Sequence, residues 1–133
     1  MDYHAWKEFY HKGHGEELVV CRLDSNLATH LGDGHHAVIL HHDILLKAIS
    51  KHRLTFDFFP LISEAITYGY AYEDCRTPRK LDFYYHCRAQ DCHIQVSVKL
   101  CLSTPDFYVT TFFKIRAKDL KKKRERNKQL RPT

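Results

Sequence analysis

Apolar side chains occupy every second position in three stretches of the second half of the chain, 81–87, 94–102 and 107–116. Residues two apart lie on the same face of a β-strand, so each stretch predicts a strand with one apolar and one polar face. The connections RAQD and STPD are short and rich in turn residues, which favours antiparallel neighbours. The sequence therefore predicts a three-stranded antiparallel meander over 81–116.

The preceding part of the chain has helical spacing. Apolar positions on one helical face are Ile44, Leu45, Ala48 and Ile49. In the next segment Asp57 is a candidate cap, Pro60 falls in the first helical turn and Gly69 is a candidate stop. We therefore predict helix, turn, helix over 42–69. Shorter patterns predict a helix in MDYHAWKEFYHK, strands in ELVVCRL and YAYEDC, and either a buried strand or a helix entry in HAVILHH.

The chain is long enough for one globular domain. It has 133 residues, of which 44% are hydrophobic, and a chain of this size closes a core without disulfides or metal. The predicted fold class is α+β: an antiparallel β-meander with N-terminal helices packed on one face and a basic C-terminal helix or tail. The domain is expected over 1–116 and the basic segment over 117–133.

Positive charge is concentrated at the C-terminus. The segment from Lys114 onward holds ten Lys or Arg and two acids, a balance of +8, which leaves about −3 for the rest of a chain whose net charge is +5. Such a segment is either a solvated helix or a surface for phosphate backbones. We expect that removal of residues 120–133 leaves a folded domain but weakens binding to nucleic acid.

The sequence disfavours membrane and disulfide-rich proteins. No apolar run approaches the roughly 18 residues of a membrane span, and the N-terminus has no apolar signal core. The five cysteines are odd in number and form no CxxC pair, so reduced thiols are expected. These features predict a cytoplasmic protein with no membrane partner, and the opening Met1 is typical of a complete product.

The strand register predicts what the polar face of the meander carries. Cys87 is expected to pair with Cys92 across the first hairpin, and Leu102 with Phe107 across the second. The cross-strand pairs that follow are His86–His93, Tyr84–Gln95, Lys99–Thr110, Gln95–Lys114 and His93–Arg116. The side chains expected on the apolar face are Ile94, Val96, Val98, Val109, Thr111 and Phe113. The polar face is then predicted to hold an acid/base pair of histidines beside an anion-binding set.

Such a set suits RNA cleavage without a metal or any other cofactor. The RNA 2′-OH must lose a proton as it attacks phosphorus, the 5′-oxygen must gain one, and the added negative charge needs fixed donors. Histidine transfers protons near neutral pH, and Lys, Arg, Thr and Tyr stabilise phosphate. The alternative is structural, because polar residues alternate in this way on the solvated side of any sheet and eleven histidines make a chance pair common.

The order of motifs resembles a known nuclease superfamily. VILHHDILLKAISKHR is followed by a second helix that ends at Gly69 and by strands that finish with YVTTFFKIR. This order is similar to that of the superfamily that groups barnase, EndoU, colicin and RelE toxins, in particular its small phage- and toxin-associated members. The matching motifs are a helical Lys-His pair and a hydrophobic-Val-Thr motif on a late strand, at Lys51, His52, Val109, Thr110 and Thr111.

The resemblance implies a metal-independent ribonuclease, often a toxin, with RNA as substrate and an antitoxin or immunity protein as a candidate partner. It makes His52 the leading general acid or base, with Lys51 or Arg53 on phosphate and Thr110 completing the site from the sheet. Successive helical residues differ by about 100° in direction, so at most one or two of residues 51–53 serve the site. The structural alternative for His52 is a surface histidine at a helix end. The sheet supplies the remaining predicted site residues, which are His86 and His93 for proton transfer and Tyr84, Lys99, Lys114 and Arg116 for phosphate.

The segment HCRAQDCH contains two Cys and two His, the ligand types of structural zinc sites. Neighbouring strand residues point to opposite faces, so the two histidines and the two cysteines form separate pairs, neither of which completes a tetrahedral site. No metal site is therefore predicted. The HH pairs at 35–36 and 41–42 are expected to be structural or capping.

Two other functions stay open from the sequence. One is a non-catalytic nucleic-acid- or protein-binding module of phage or bacterial origin that uses the same basic surface. The other is a protein-interaction domain whose tail docks an acidic partner. Cleavage of RNA in the presence of EDTA separates the ribonuclease from both.

Overall fold

The computed structural model describes residues 3–13, 15–32, 36–104 and 106–131. Its helices are α1 (Tyr3–Lys12), α2 (Ser25–Leu31), α3 (His42–Ser50), α4 (Pro60–Tyr68) and α5 (Ala117–Arg126). Its strands are β1 (Glu17–Arg22), β2 (Ala37–His41), β3 (Tyr70–Glu73), β4 (Lys80–Cys87), β5 (Cys92–Cys101), β6 (Asp106–Ile115) and β7 (Lys128–Arg131). A short 3₁₀ helix, Phe56–Phe58, precedes α4. The helices predicted over 42–69, the strands of the meander and the shorter N-terminal elements are confirmed, whereas α2 and β7 were not predicted.

Within the described residues the strands form one mixed sheet, in the order β1-β2-β6-β5-β4-β3-β7. β2 runs parallel to β6, and the other neighbouring strands are antiparallel. The fold is therefore α+β, as predicted. The predicted meander β4-β5-β6 forms the centre of a larger sheet, which chain segments from both ends extend.

Helices α3 and α4 pack on one face of this sheet, which we call the inner face. Phe83, Val96 and Phe112 are cross-strand partners on this face, and all three are buried. Phe59, just before α4, packs edge-on against Phe112 with the ring centroids 6.0 Å apart. The core therefore lies between the central strands and the helices.

The ends of α4 follow from its sequence. Pro60 occupies the first helical turn, where its missing N–H has no intrahelical partner to lose. Gly69 follows the last residue and its N–H donates to the carbonyl of Ala65. Asp57 does not cap this helix, because it lies within the 3₁₀ turn and the capping position is Phe59, whose side chain makes no capping hydrogen bond.

Helix α5 covers part of the opposite face, which we call the outer face. Leu120 of α5 packs there with Tyr72, Tyr84 and Ile115. After the helix, β7 pairs with β3, and the Arg131 guanidinium donates to the carbonyls of two residues at the end of α4. The basic segment is thus packed onto the sheet through Leu120 and β7.

The predicted register of the first hairpin is confirmed. His86 pairs with His93, Tyr84 with Gln95, and Cys87 with Cys92. In the second hairpin the prediction is wrong, because Gln95 pairs with Phe113 rather than Lys114, Lys99 pairs with Tyr108 rather than Thr110, and His93 pairs with Ile115 rather than Arg116. Leu102 lies in the turn, and Phe107 pairs with Leu100.

Two features explain the difference. Phe107 pairs with Leu100 instead of Leu102, and this shift of two residues at the turn gives Lys99 the partner Tyr108 without changing its face. An irregularity in β6 then changes the partners of Gln95 and His93. The register shifts between Ser97 and Val98, which pair with Thr111 and Val109, so Thr110 is an extra residue in β6. An extra residue moves every following side chain to the other face of the strand. The predicted core residues Ile94, Val96, Val98 and Val109 are buried, whereas Thr111 and Phe113 are half-buried and pair with outer-face residues.

The described helices include none that is both long and apolar enough to cross a membrane. The five cysteines are free thiols. Of these, Cys75 is exposed and Cys87 is buried, and the other three are half-buried.

Candidate nucleic-acid interface

A basic cleft lies between the C-terminal part of β6 and helix α5. Its volume is about 510 Å³. The residues that line it are Phe113, Lys114, Ile115, Arg116, Asp119, Lys122, Lys123 and Arg126. Asp119 is the one acid among these lining residues, and the Arg116 guanidinium lies 2.9 Å from its carboxylate. The cleft therefore carries a net positive charge, which suits a phosphate backbone.

The local pairing of β6 explains why the cleft is open on this side. β2 pairs with β6 only at Phe107 and Tyr108, so the rest of that edge of β6 has no strand neighbour among the described residues. Helix α3 contacts β6 instead. The chain leaving α3 thereby brings His52 to the edge of the cleft, at Phe113.

His52 is held in place rather than free at a helix end. Its ring stacks on the ring of Phe113, with centroids 5.3 Å apart and planes 30° apart. Burial lowers the pKa of His52, and the positive charges of Lys51 and Lys47 lower it further. A lowered pKa favours the neutral imidazole near pH 7, which is the form that accepts a proton.

Lys123 projects from α5 toward the same aromatic ring. Its ammonium lies 5.1 Å from the centroid of Phe113 and donates a 2.7 Å hydrogen bond to the side-chain carbonyl of Gln95. The Gln95 amide donates to Ser97 Oγ at 3.2 Å, and Ser97 Oγ donates to Asp82 at 2.6 Å. Gln95, Ser97 and Asp82 are buried, so this chain of hydrogen bonds holds the Lys123 ammonium against the outer face of the sheet.

The same burial acts on the charge of Lys123. Burial lowers the pKa of Lys123, and the neighbouring cations Lys80 and Arg126 act in the same direction. Asp82 acts in the opposite direction, since its negative charge stabilises the ammonium. Lys123 is thus a partly desolvated cation, and such a cation interacts with phosphate more strongly than one surrounded by water.

His86 and His93 come together as predicted. Their rings stack with centroids 4.6 Å apart and planes 28° apart. His86 also lies 3.8 Å from the exposed carboxylate of Asp91. Burial lowers the pKa of His93, and the neighbouring His86 lowers it further. Because His93 pairs with Ile115, which lines the cleft, this histidine pair borders the cleft.

The remaining predicted site residues lie beside His52, in the cleft, or outside the cleft. Lys51 and Arg53 are exposed on either side of His52. Lys114 and Arg116 line the cleft, although the Lys114 ammonium lies over the Phe58 ring at 4.2 Å, on the inner side of the sheet.

Tyr84, Lys99 and Thr110 do not contribute to this cleft. Tyr84 is 1% exposed beneath α5, and burial raises its pKa, so it is not accessible to a phosphate. Lys99 and Thr110 line a separate cavity at the other end of the sheet. The Thr110 hydroxyl donates to the Ser97 carbonyl at 3.3 Å, and the structure places Thr110 in that separate cavity instead of the cleft at which His52 contacts Phe113.

Sequence reasoning missed Phe113 and Lys123 as site residues. Phe113 was assigned to the core because the extra residue in β6 leaves no mark in the pattern of apolar positions. Lys123 was treated as one charge in a basic run. The sequence feature that could have identified Lys123 is its spacing of three residues from Leu120, because this spacing puts the two side chains near one face of α5.

The described part of the chain contains no group of three or more His, Cys, Asp or Glu side chains arranged to hold a metal ion. A scan against protein-family models finds no match, and searches of curated proteins and of solved structures find none either. The nuclease resemblance therefore rests on the sequence motifs, and the function of this chain is inferred from its geometry.

Proposed function

We propose that the protein is a metal-independent endoribonuclease that binds RNA in the basic cleft and uses His52 as its acid/base group. One observation carries the proposal. His52 and Lys123 both contact the ring of Phe113, at centroid distances of 5.3 Å and 5.1 Å, so a proton-transfer group and a fixed cation meet at one side chain of the cleft wall. Cleavage of RNA through its own 2′-OH needs these two kinds of group close together.

The reaction follows from the protonation state of His52. The neutral imidazole removes the proton from the 2′-OH as the 2′-oxygen forms a bond to phosphorus. The bond from phosphorus to the 5′-oxygen breaks, and that oxygen takes a proton from an acid. The pair of His86 and His93 at the border of the cleft, with rings 4.6 Å apart, is our candidate for the acid, because the Asp91 carboxylate 3.8 Å from His86 stabilises a proton held by the pair. The products are a 2′,3′-cyclic phosphate and a free 5′-OH.

The cations stabilise the extra negative charge that develops on the phosphate oxygens. Lys123 is the best placed of them because its partner Gln95 holds the ammonium at 2.7 Å and its burial weakens competition from water. Lys122 and Arg126 line the same cleft and extend the positive surface along the RNA.

The wider biological assignment comes from the resemblance in the sequence. The motifs around His52 and the late strand are similar to those of the barnase, EndoU, colicin and RelE superfamily, whose small members include toxins. We therefore propose a ribonuclease toxin or effector of the cytoplasm, with an antitoxin or immunity protein as its partner. An acidic inhibitor would bind to the basic cleft, because the charges of the two surfaces are complementary, and would block access of RNA.

A second candidate is an RNA-binding module that does not cleave. Three of the predicted site residues, Tyr84, Lys99 and Thr110, are not in the cleft, while five cations line it. A binder needs only the cations and an aromatic platform.

RNA digestion distinguishes the two candidates. Single-stranded RNA is incubated with the protein in EDTA, and the ends of the products are analysed. Fragments with 2′,3′-cyclic phosphate and 5′-OH ends support the ribonuclease. Intact RNA that is retained by the protein with a steep salt dependence supports the binding module.

A further inference from the structure

A second cavity lies on the outer face at the far end of the sheet from the basic cleft. Its volume is about 470 Å³, within the range of small-molecule sites. Arg79, Lys99, Cys101, Leu102 and Tyr108 are among the residues that line it. Tyr108 and Lys114 are six positions apart on β6, a separation of about 20 Å in an extended strand, so this cavity is distinct from the cleft.

The charge of this cavity is positive and uncompensated. Arg79 and Lys99 are exposed, and within the described residues neither forms an ion pair. The cross-strand neighbour of Lys99 is Lys80, whose ammonium is held instead by Asp74 at 2.9 Å and by Asp82 at 3.6 Å. The cavity lining contains no acidic residue. Asp74 and Asp82 are thus committed to Lys80, and Asp106 beside the cavity accepts a hydrogen bond from the Tyr108 hydroxyl at 3.4 Å, so Arg79 and Lys99 are left to an outside anion.

The other lining groups form an aromatic and apolar wall. The ring of Tyr108 stacks on His41, with centroids 5.2 Å apart and planes only 13° from parallel, which fixes its orientation. Leu102 is 62% exposed at the cavity. An aromatic ring beside an apolar side chain is a surface on which a nucleobase stacks.

We propose that this cavity binds a nucleoside phosphate, with the base against Tyr108 and Leu102 and the phosphate on Lys99 and Arg79. The ligand has two sources with the same chemistry, a free nucleotide or one residue of an RNA chain. The second source rests on the proposed function, because it makes the cavity a subsite for RNA that also occupies the basic cleft. The free nucleotide does not depend on it.

Cys101 provides the readout. Its thiol lines the cavity, and hydrogen bonds from Ser103 and Thr104 lower the pKa of Cys101 to about 7, so it reacts readily with iodoacetamide near neutral pH. Cys75 is the exposed competitor and is replaced by serine for the assay. Alkylation of Cys101 is then followed by mass spectrometry with and without adenosine monophosphate, adenosine or inorganic phosphate. Saturating adenosine monophosphate is expected to slow alkylation about fivefold or more, by covering the thiol.

Substitutions test the assignment of the contacts. Arg79→Gln and Lys99→Gln are each expected to raise the nucleotide concentration needed for protection about tenfold or more, because each removes a charge-assisted contact. Tyr108→Ala is expected to abolish the advantage of the nucleotide over inorganic phosphate. Lys121→Gln, an exposed cation of α5 that does not line the cavity, is the matched control and should leave protection unchanged. Protection is expressed as the ratio of rates with and without ligand, which removes any change in the intrinsic reactivity of the thiol.

An RNA arm separates the two sources. A short single-stranded 2′-O-methyl oligonucleotide cannot be cleaved through its 2′-oxygen and is used at the same nucleotide concentration. Protection by adenosine monophosphate supports a free-nucleotide site, and protection by the oligonucleotide alone supports an RNA subsite. Equal protection by inorganic phosphate, no protection by any ligand, or protection unchanged in both glutamine variants overturns the proposal. RNA cleavage without protection of Cys101 rejects this cavity and leaves the proposed ribonuclease standing.

Discussion

The imidazole of His52 stacks on the phenyl ring of Phe113, with the ring centroids 5.3 Å apart and the ring planes 30° apart. This contact joins the end of α3 to the strand that forms the wall of the basic cleft. A histidine after a helix normally moves freely in water, whereas this one has a fixed position beside fixed cations. The sequence predicted that Thr110 completes the His52 site, whereas the strand residue that His52 contacts is Phe113.

The pH dependence of cleavage should follow His52. Burial and the nearby lysines lower the pKa of this histidine from 6.5, so its neutral form persists below that pH. The acid limb of the profile of kcat/KM against pH is therefore expected below about pH 6.5. An acid limb above that value contradicts the assignment of His52 as the base.

Stability should also decrease on the acid side. The pKa values of His52 and His93 are both lowered by burial, so the unfolded chain binds these protons more tightly than the folded chain. The free energy of unfolding is then highest above about pH 6.5 and falls as the pH drops through that value toward the folded-state pKa values. Urea unfolding at pH 7.5 and pH 5.5 measures the difference. His52→Gln should reduce it, and a difference of the opposite sign contradicts the burial argument.

Replacement of Lys123 should weaken RNA binding more than replacement of a neighbouring lysine. Lys123→Gln removes a cation fixed by Gln95, and the slope of log affinity against log salt should decrease by about 1. Lys121→Gln on the same helix is the matched control, because Lys121 is exposed and does not line the cleft. Fluorescence anisotropy of labelled RNA over a range of salt concentrations measures both. Equal effects of the two substitutions indicate that the cleft has no special role.

Gly69→Ala should destabilise the fold. A methyl group at this position lies 2.5 Å from the carbonyl oxygen of Ala65 and 2.7 Å from that of Tyr84, and both are backbone atoms that have little freedom to move. We expect a loss of about 1–3 kcal/mol or more in the free energy of unfolding. Thr67→Ala in the exposed part of the same helix is the control and should change it by less than about 0.5 kcal/mol. A Gly69→Ala protein of unchanged stability contradicts the close approach of α4 to β4.

Removal of residues 120–133 should cost stability as well as RNA binding. The sequence predicts that the domain folds without this segment, but the structure pairs β7 with β3 and buries Leu120. Loss of one buried leucine alone destabilises by about 1.5–3 kcal/mol, and the truncation also exposes Tyr84 and Ile115. Urea unfolding of the truncated chain is therefore expected to show a loss of at least about 2 kcal/mol. An unchanged urea midpoint contradicts this prediction and indicates that the segment is a solvated tail.

The fold was predictable where the pattern is local. The hairpin of β4 and β5 has a short connection and clear alternation, and its register followed from the pairing of Cys87 with Cys92. The pairing of β2 with β6 joins strands far apart in sequence and has no local signal. Strand β7, with the sequence KQLR, lies at a sheet edge, where strands are often polar. Its sequence therefore does not differ from that of a basic tail.

The candidate site was predictable in part, for a related reason. His52 was identified from a motif, and His86 and His93 were paired correctly because their hairpin is regular. The other side of the site depends on the face that Phe113 occupies, and the extra residue at Thr110 decides that face. Consecutive threonines are common in strands, so they give no indication of such an irregularity in the sequence.

The rate of RNA cleavage by His52→Ala, measured in EDTA under single-turnover conditions, tests the central claim most directly. A single acid/base group contributes about 10²- to 10⁴-fold, so we predict a loss of that size with an unchanged circular dichroism spectrum. His86→Ala and His93→Ala are measured beside it, and a smaller loss is expected for His86 than for His93, which borders the cleft through Ile115. A His52→Ala protein that cleaves at the wild-type rate contradicts the account. Full loss in His86→Ala or His93→Ala at the same time assigns catalysis to the sheet pair instead.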